Sequence, residues 1–258
     1  MPAYNVSAII LRRINFGETD RIVTLYTRER GKLSGIAKGA RKPISRLGGA
    51  TEPLSYARLQ LATGKTLEVI TQAEVRDSFP RVRADLIRTA YGMYLLELVD
   101  RFTEEHEVST DTFELLLSAL YLLERPNDPA KIARMFELQL MTLLGYEPTL
   151  DRCLRCLAAL PPDDVCFSPS LGGVVCRECG ALPEDALQVS HQAVELMQKL
   201  ATAEASEVER MDASPETLDQ IERAMRWHIR YRAEGELRSL DFLQTLKDGC
   251  AIEKPELA

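Results

Sequence analysis

Apolar and polar positions alternate over five short stretches near the start of the chain, at 5–14, 21–27, 32–38, 56–62 and 67–75. Each is rich in β-branched or aromatic residues, and Gly17, Gly31, Gly39, the pair Gly48 and Gly49, and Gly64 punctuate them. Five strands at such close spacing predict a small barrel, and five is the number of an OB-fold. Beyond Pro80 the period lengthens. Leu86, Ala90, Met93, Tyr94, Leu98 and Phe102 recur at three- and four-residue steps, the stripe of a helix that buries one face. A second helix is expected to start at Asp111, with Glu114 completing a capping box, and to stop before Pro126. Asp128 as cap and Pro129 at the first helical position open a third, with Ile132, Met135, Phe136, Leu140 and Leu143 on its apolar face and Gly145 at its end. Helical patterns resume at 190–200, 214–231 and 239–246, the second of them opened by Ser214, Pro215 and Glu216. Residues 151–180 lack that period and read as an insertion of loops and cysteine knuckles. The expected organisation is therefore α+β and multidomain: an OB-fold barrel over 1–79, a helical domain from 80–150 and 181–258, and a metal-binding insertion over 151–180.

Composition narrows the class. With 45% hydrophobic and 28% charged residues the chain is an ordinary folded protein. It has neither a signal-like start nor an apolar run approaching the roughly 18 residues that span a bilayer, so a cytoplasmic protein without membrane contact is expected. The net charge of -7 argues against a nucleic-acid partner only if it is evenly spread. Residues 1–79 carry 13 Lys and Arg against 7 Asp and Glu, a local +6 that leaves -13 for the rest. Local potential, more than the total, decides attraction to phosphate. Within 26–46, Arg28, Arg30, Lys32, Lys38, Arg41, Lys42 and Arg46 face only Glu29, with Gly31, Gly35 and Gly39 among them. A glycine-rich cationic run suits a sugar-phosphate backbone, so Arg28, Lys32, Lys38, Arg41, Lys42 and Arg46 are the candidate nucleic-acid-binding residues, expected to form one contiguous surface. Phe16, Tyr26 and Tyr56 are candidates for stacking on bases. Two other readings stay open: a solvated barrel face, and a non-enzymatic adaptor whose basic barrel docks an acidic protein.

The most specific pattern is Cys153-Leu154-Arg155-Cys156, 19 residues, then Cys176-Arg177-Glu178-Cys179. Two such knuckles bring four thiolates to one ion and complete the closed tetrahedral shell of a structural zinc, leaving no position for a reacting water. Buried or redox-active thiols are the alternative. Cys166 and Cys250 fall outside the set and read as packed or free thiols. Gly64-Lys65-Thr66 imitates a P-loop end, yet Leu59 stands where the first glycine is required, so a hairpin turn is expected. His106, His191 and His228 are scattered, without a nucleophile or a second ligand nearby in sequence. Arg223, Arg226, Arg230 and Arg232 surround Trp227 and Tyr231 on a late helix, read either as a second anion or partner site or as a helix packing its aromatics. No catalytic constellation emerges, and no catalytic residue is expected.

A basic five-strand module, a helical body and an inserted knuckle pair together resemble the RecO family of bacterial recombination mediators. The best local likenesses are Ala37-Lys38-Gly39-Ala40-Arg41-Lys42, similar to that family's basic strand end, and Phe167 with Gly172-Gly173-Val174-Val175-Cys176-Arg177-Glu178-Cys179, similar to its second knuckle. The resemblance implies binding of single- and double-stranded DNA, annealing of complementary strands, and action with RecR to load RecA onto DNA coated by single-strand-binding protein. It further implies docking of the C-terminal tail of that coating protein, nucleoid association, and no enzymatic step.

Overall fold

The computed structural model describes residues 3–162, 165–179, 182–233 and 237–252, the last six as backbone alone. The Cys250 side chain and Gly180, the expected end of the insertion, lie outside the described residues. Two compact units form: one from the described residues of Met1–Arg125 and Leu237–Ala258, the other from those of Pro126–Glu236. The division falls at Pro126, so the first helices belong with the barrel and the cysteine insertion with the later ones.

The first unit contains five strands, β1 Ala3–Phe16, β2 Asp20–Thr27, β3 Gly31–Ala37, β4 Tyr56–Ala62 and β5 Glu68–Asp77. They close a barrel in the order β1-β2-β3-β5-β4. β1 makes closure possible by serving two neighbours. Its first half pairs with β4 and its second with β2, and the register shifts between Ile10 and Arg12, where a bulge bends the strand. The parallel contact of Gly35 with Glu68 and Ile36 with Val69 joins β3 to β5. This is the connectivity of an OB-fold, and its interior is filled by inward residues such as Val6, Ile10, Leu25, Leu33 and Leu59.

Helices α1 Pro80–Ala84, α2 Leu86–Phe102 and α3 Thr110–Glu124 follow, and α8 Arg238–Ile252 returns to pack on α2. α2 is buried on a wider front than its expected stripe. Tyr91, Leu95, Leu96 and Val99 are covered, whereas Leu86 and Met93, placed on the stripe by periodicity, are exposed. α3 is capped by Ser109, whose hydroxyl accepts from the Thr112 N–H at 3.2 Å, and not by Asp111, which sits in the first turn. Glu114, expected in a capping box, instead pairs with Arg28.

The second unit holds α4 Pro129–Leu143, the strands β6 Val165–Ser168, β7 Gly173–Cys176 and β8 Leu187–Val189, then α5 His191–Thr202, α6 Ala205–Arg210 and α7 Pro215–Arg232. The Asp128 and Ser214 caps are present as expected. Leu143 is exposed despite its place on the expected apolar face, because α4 ends there. Sequence periodicity missed α1, α6 and β8, each too short to display a full pattern.

Candidate nucleic-acid interface and metal centre

The outer side of β2 and β3 is the usual ligand-binding face of an OB-fold. Here the end of α2 and the following segment cover it. Lys32 Nζ donates to the Asp100 carbonyl at 2.6 Å and lies 3.8 Å from its carboxylate, so only 13% of the side chain remains exposed. Ser34 Oγ donates to Glu105 at 3.1 Å, and the His106 N–H donates to the Lys32 carbonyl at 2.8 Å. Gly31 makes the approach possible: a Cβ there would stand 1.9 Å from the Glu107 carbonyl oxygen. Tyr26 is fully buried in this seam, and burial pushes its phenol pKa up. Tyr56 packs edge-on to Phe113, ring centroids 6.2 Å apart. Of the three stacking candidates only Phe16 is open, at 52% exposure. Arg28 is half exposed but pairs with Glu114 and stands 5.6 Å over the Phe113 ring.

The remaining four candidates occupy the loop after β3. Lys38, Arg41, Lys42 and Arg46 are all exposed, and among the described residues none has a carboxylate within ion-pair distance. Three latches hold the loop in place. The Arg41 N–H donates to the Thr19 carbonyl at 2.9 Å and its guanidinium to the Gly17 carbonyl at 3.2 Å, tying the loop to the β1–β2 turn. Asp20 Oδ1 accepts the Gly39 N–H at 2.8 Å; this bond, helped by Thr19 and by the charges of Lys38 and Lys42, holds the carboxyl below its ordinary pKa. At the far end Arg21, only 12% exposed, donates to the Gly48 carbonyl and Thr51 hydroxyl and pairs with Glu52 at 2.9 Å. The sequence run is thus divided into a group held by carboxylates of the helices, Arg28 and Lys32, and an open one, Lys38 through Arg46.

In the second unit Cys153, Cys156, Cys176 and Cys179 converge, their sulfurs all within 4.8 Å of one another. The closest pairs, Cys176–Cys179, Cys153–Cys179 and Cys156–Cys176, stand at 3.4, 3.6 and 3.8 Å. Four thiolates around one ion at the usual zinc–sulfur bond length imply edges of about 3.8 Å. The donor set therefore fits a tetrahedral thiophilic metal. Cys166 is buried in β6 outside the cluster. Burial opposes ionisation of Cys153, yet amide donors from Cys156, Cys176 and Arg155 outweigh it and lower its thiol to about 6. Cys179 moves the other way, to about 12, because Cys156 and Cys176 crowd it. Without a cation the four cannot all ionise; a dication removes that conflict.

The family profile described as "Recombination protein O N terminal" matches residues 1–79, and "Recombination protein O C terminal" matches residues 83–241. The chain belongs to the RecO family. It is 39% identical over 250 residues to the DNA repair protein RecO of Symbiobacterium thermophilum, covering 96% of this chain and 99% of that protein. The protein of the same name from Heliobacterium modesticaldum is 37% identical over 262 residues, covering 100% of this chain and 94% of its own length. That of Pelotomaculum thermopropionicum is 37% identical over 243 residues, 94% of each chain.

One feature of the second unit escaped sequence reading. Arg134 and Glu137, each 1% exposed, form a buried ion pair at 2.6 Å on α4, joined by Glu222 of α7 at 3.1 Å. His228 is buried, its Nε2 2.8 Å from the Tyr146 carbonyl and its Nδ1 3.1 Å from Arg232; burial lowers its pKa to about 4. Trp227 and Tyr231 are not packed inward as one of the two sequence expectations had it: they are 50% and 66% exposed, with Arg230 5.4 Å over the Trp227 ring. Among the described residues, no helix is long and apolar enough to cross a membrane.

Proposed function

We propose that this chain acts in DNA repair and homologous recombination as a non-enzymatic mediator. It binds single- and double-stranded DNA through Lys38, Arg41, Lys42 and Arg46, anneals complementary strands, and with RecR assists RecA loading onto DNA coated by single-strand-binding protein. Family membership supports the biological role. The observation that carries the binding surface is four exposed cations on one latched loop, none with a carboxylate within ion-pair distance among the described residues. Arg28 and Lys32 serve the same surface indirectly, by seating the barrel on α2 and α3. Annealing needs no bond chemistry: a cationic surface that holds one strand lowers the repulsion met by its complement. The contacts with RecR and with the tail of single-strand-binding protein, and association with the nucleoid, rest on the family alone.

Zinc is the proposed occupant of the cysteine cluster, one ion held by Cys153, Cys156, Cys176 and Cys179. Bound there it supplies cross-linking of two knuckles and no open coordination position. Elemental analysis of the purified protein should return one zinc per chain.

Fluorescence anisotropy of an unstructured oligonucleotide across a salt titration tests the binding reading. With about four phosphates engaged, the log-log slope on single strands should be close to 3. An adaptor for an acidic protein would show no saturable, salt-sensitive binding. Acceleration of annealing between complementary oligonucleotides then separates a mediator from a passive binder.

A further inference from the structure

The turn to which the cationic loop is tied adjoins an apolar surface that the phosphate reading leaves unused. On the outer side of the barrel, Ile14 of β1 stands opposite Ile22 of β2, which stands opposite Ile36 of β3, an aliphatic row across three strands. Ile14 is 54% exposed, and Phe16, two residues on and therefore on the same face, is 52% exposed. Ile44 is 97% exposed. Its setting is not a loose excursion. The Ser45 N–H donates to the Lys42 carbonyl at 2.9 Å, closing a turn with Pro43 and Ile44 at its corners, and proline at the first corner fixes the backbone there. The base of the same loop is bonded to Gly17 and Thr19, immediately after Phe16.

We propose that Ile44 and Phe16 form an apolar ledge that receives unpaired nucleobases from the strand whose phosphates the loop cations hold. This inference rests on the DNA-binding reading above. Charge selects the occupant: Lys38, Arg41, Lys42 and Arg46 call for a polyanion, and the ledge calls for one with apolar faces between its charges. Unpaired polynucleotide has both, because each base presents a π-face while paired, stacked bases hide theirs. Neither Ile44 nor Phe16 can hydrogen-bond to a base edge, so the ledge accepts any base. It therefore favours single strands over duplex without selecting sequence, and keeps a base unstacked and open to a complement.

The test uses the full-length protein and two labelled probes of equal length, oligothymidine and an abasic oligomer with the same phosphate backbone, each titrated over salt by anisotropy. The wild type should bind the base-containing probe roughly tenfold or more tightly, given the usual contribution of one stacked base. Ile44→Ser should reduce that preference several-fold, and adding Phe16→Ala should bring it near unity, with the salt slope unchanged. Ile44 is almost fully exposed, so Ile44→Ser leaves the core intact, and an unchanged melting curve verifies it. Equal affinity of the wild type for both probes, with salt-sensitive binding intact, overturns the ledge and leaves the DNA reading standing. Retention of the base preference in the double variant also overturns it. Absence of salt-sensitive binding to either probe overturns the DNA reading and the ledge with it. Should an acidic peptide bind the wild type and lose affinity in Ile44→Ser while oligothymidine affinity stays constant, the ledge is a protein dock and the proposal fails.

Discussion

Two groups of cations from one basic stretch of sequence have opposite fates. Lys32 and Arg28 turn toward α2 and α3, where Asp100 and Glu114 meet them. Lys38, Arg41, Lys42 and Arg46, a few residues later, face solvent, and among the described residues none has a carboxylate within ion-pair distance, although the charges of Lys38 and Lys42 reach Asp20. The first group holds the barrel against its helices; the second is free for a ligand. Charge density along a sequence therefore overstates the usable surface, because a cation's availability depends on carboxylates far away in the chain. The Lys32 contact spans 68 residues and the Arg28 contact 86.

Four measurements would break or sharpen this division, in decreasing order of expected effect. Stripping the metal with a thiol-competing chelator, or Cys156→Ser, should release binding free energy on the order of 10 kcal/mol and abolish hydrogen-exchange protection in β6 and β7. The salt slope of DNA binding should be unchanged; a falling slope would mean that the open loop is not the only anion surface. Next, the combined substitutions Lys38→Glu, Arg41→Glu and Lys42→Glu should weaken DNA binding by roughly 100-fold or more at low salt and lower the slope by about 2; Arg41 also latches the loop to the Gly17 carbonyl, so Lys38→Glu with Lys42→Glu, which keeps that latch, should give the same direction of change. Unchanged affinity would remove the open group from the interface.

Acid supplies the third. The folded protein keeps His228 neutral down to about pH 4, whereas the unfolded chain takes up that proton near the ordinary value of 6.5. Stability is thus complete above pH 6.5 and lost progressively as pH falls toward 4, by about 3 kcal/mol as an upper figure. His228→Gln should flatten that acid limb in chemical denaturation, while DNA binding by the loop keeps the pH dependence of the parent. A limb unchanged by the substitution would place the acid sensitivity elsewhere. The smallest effect is expected from Lys32→Met, which removes a part-buried charged hydrogen bond and should cost about 1 to 3 kcal/mol of stability. DNA affinity should stay within about twofold; a tenfold loss in a fully folded variant would return Lys32 to the open group.

Most of the fold was legible because period-2 and period-3.6 patterns, together with caps such as Asp128 and Ser214, are local. The cysteine cluster was legible for a related reason: two residues between cysteines already encode converging sulfurs. The fates of Tyr26 and Lys32 were not, since an aromatic and a lysine in adjacent strands read alike whether solvent or a helix end lies over them. Ser109 is hard to single out as the cap from sequence because Asp111 and Glu114 offer an equally good local motif; in the fold Glu114 pairs with Arg28 and the Ser109 hydroxyl takes the Thr112 N–H. Arg134 and Glu137 left a faint sign, opposite charges three apart on an apolar helix, which more often marks a solvent-facing pair.

Arg21 has a kinetic consequence. By pinning the exit of the loop through Gly48, Thr51 and Glu52, while Asp20 and Arg41 pin its entry, it leaves the cationic segment folded before any partner arrives. Little conformational freedom is then surrendered on encounter, so capture should run at the pace of electrostatically guided diffusion, and differences in affinity among variants should emerge in how long a strand stays.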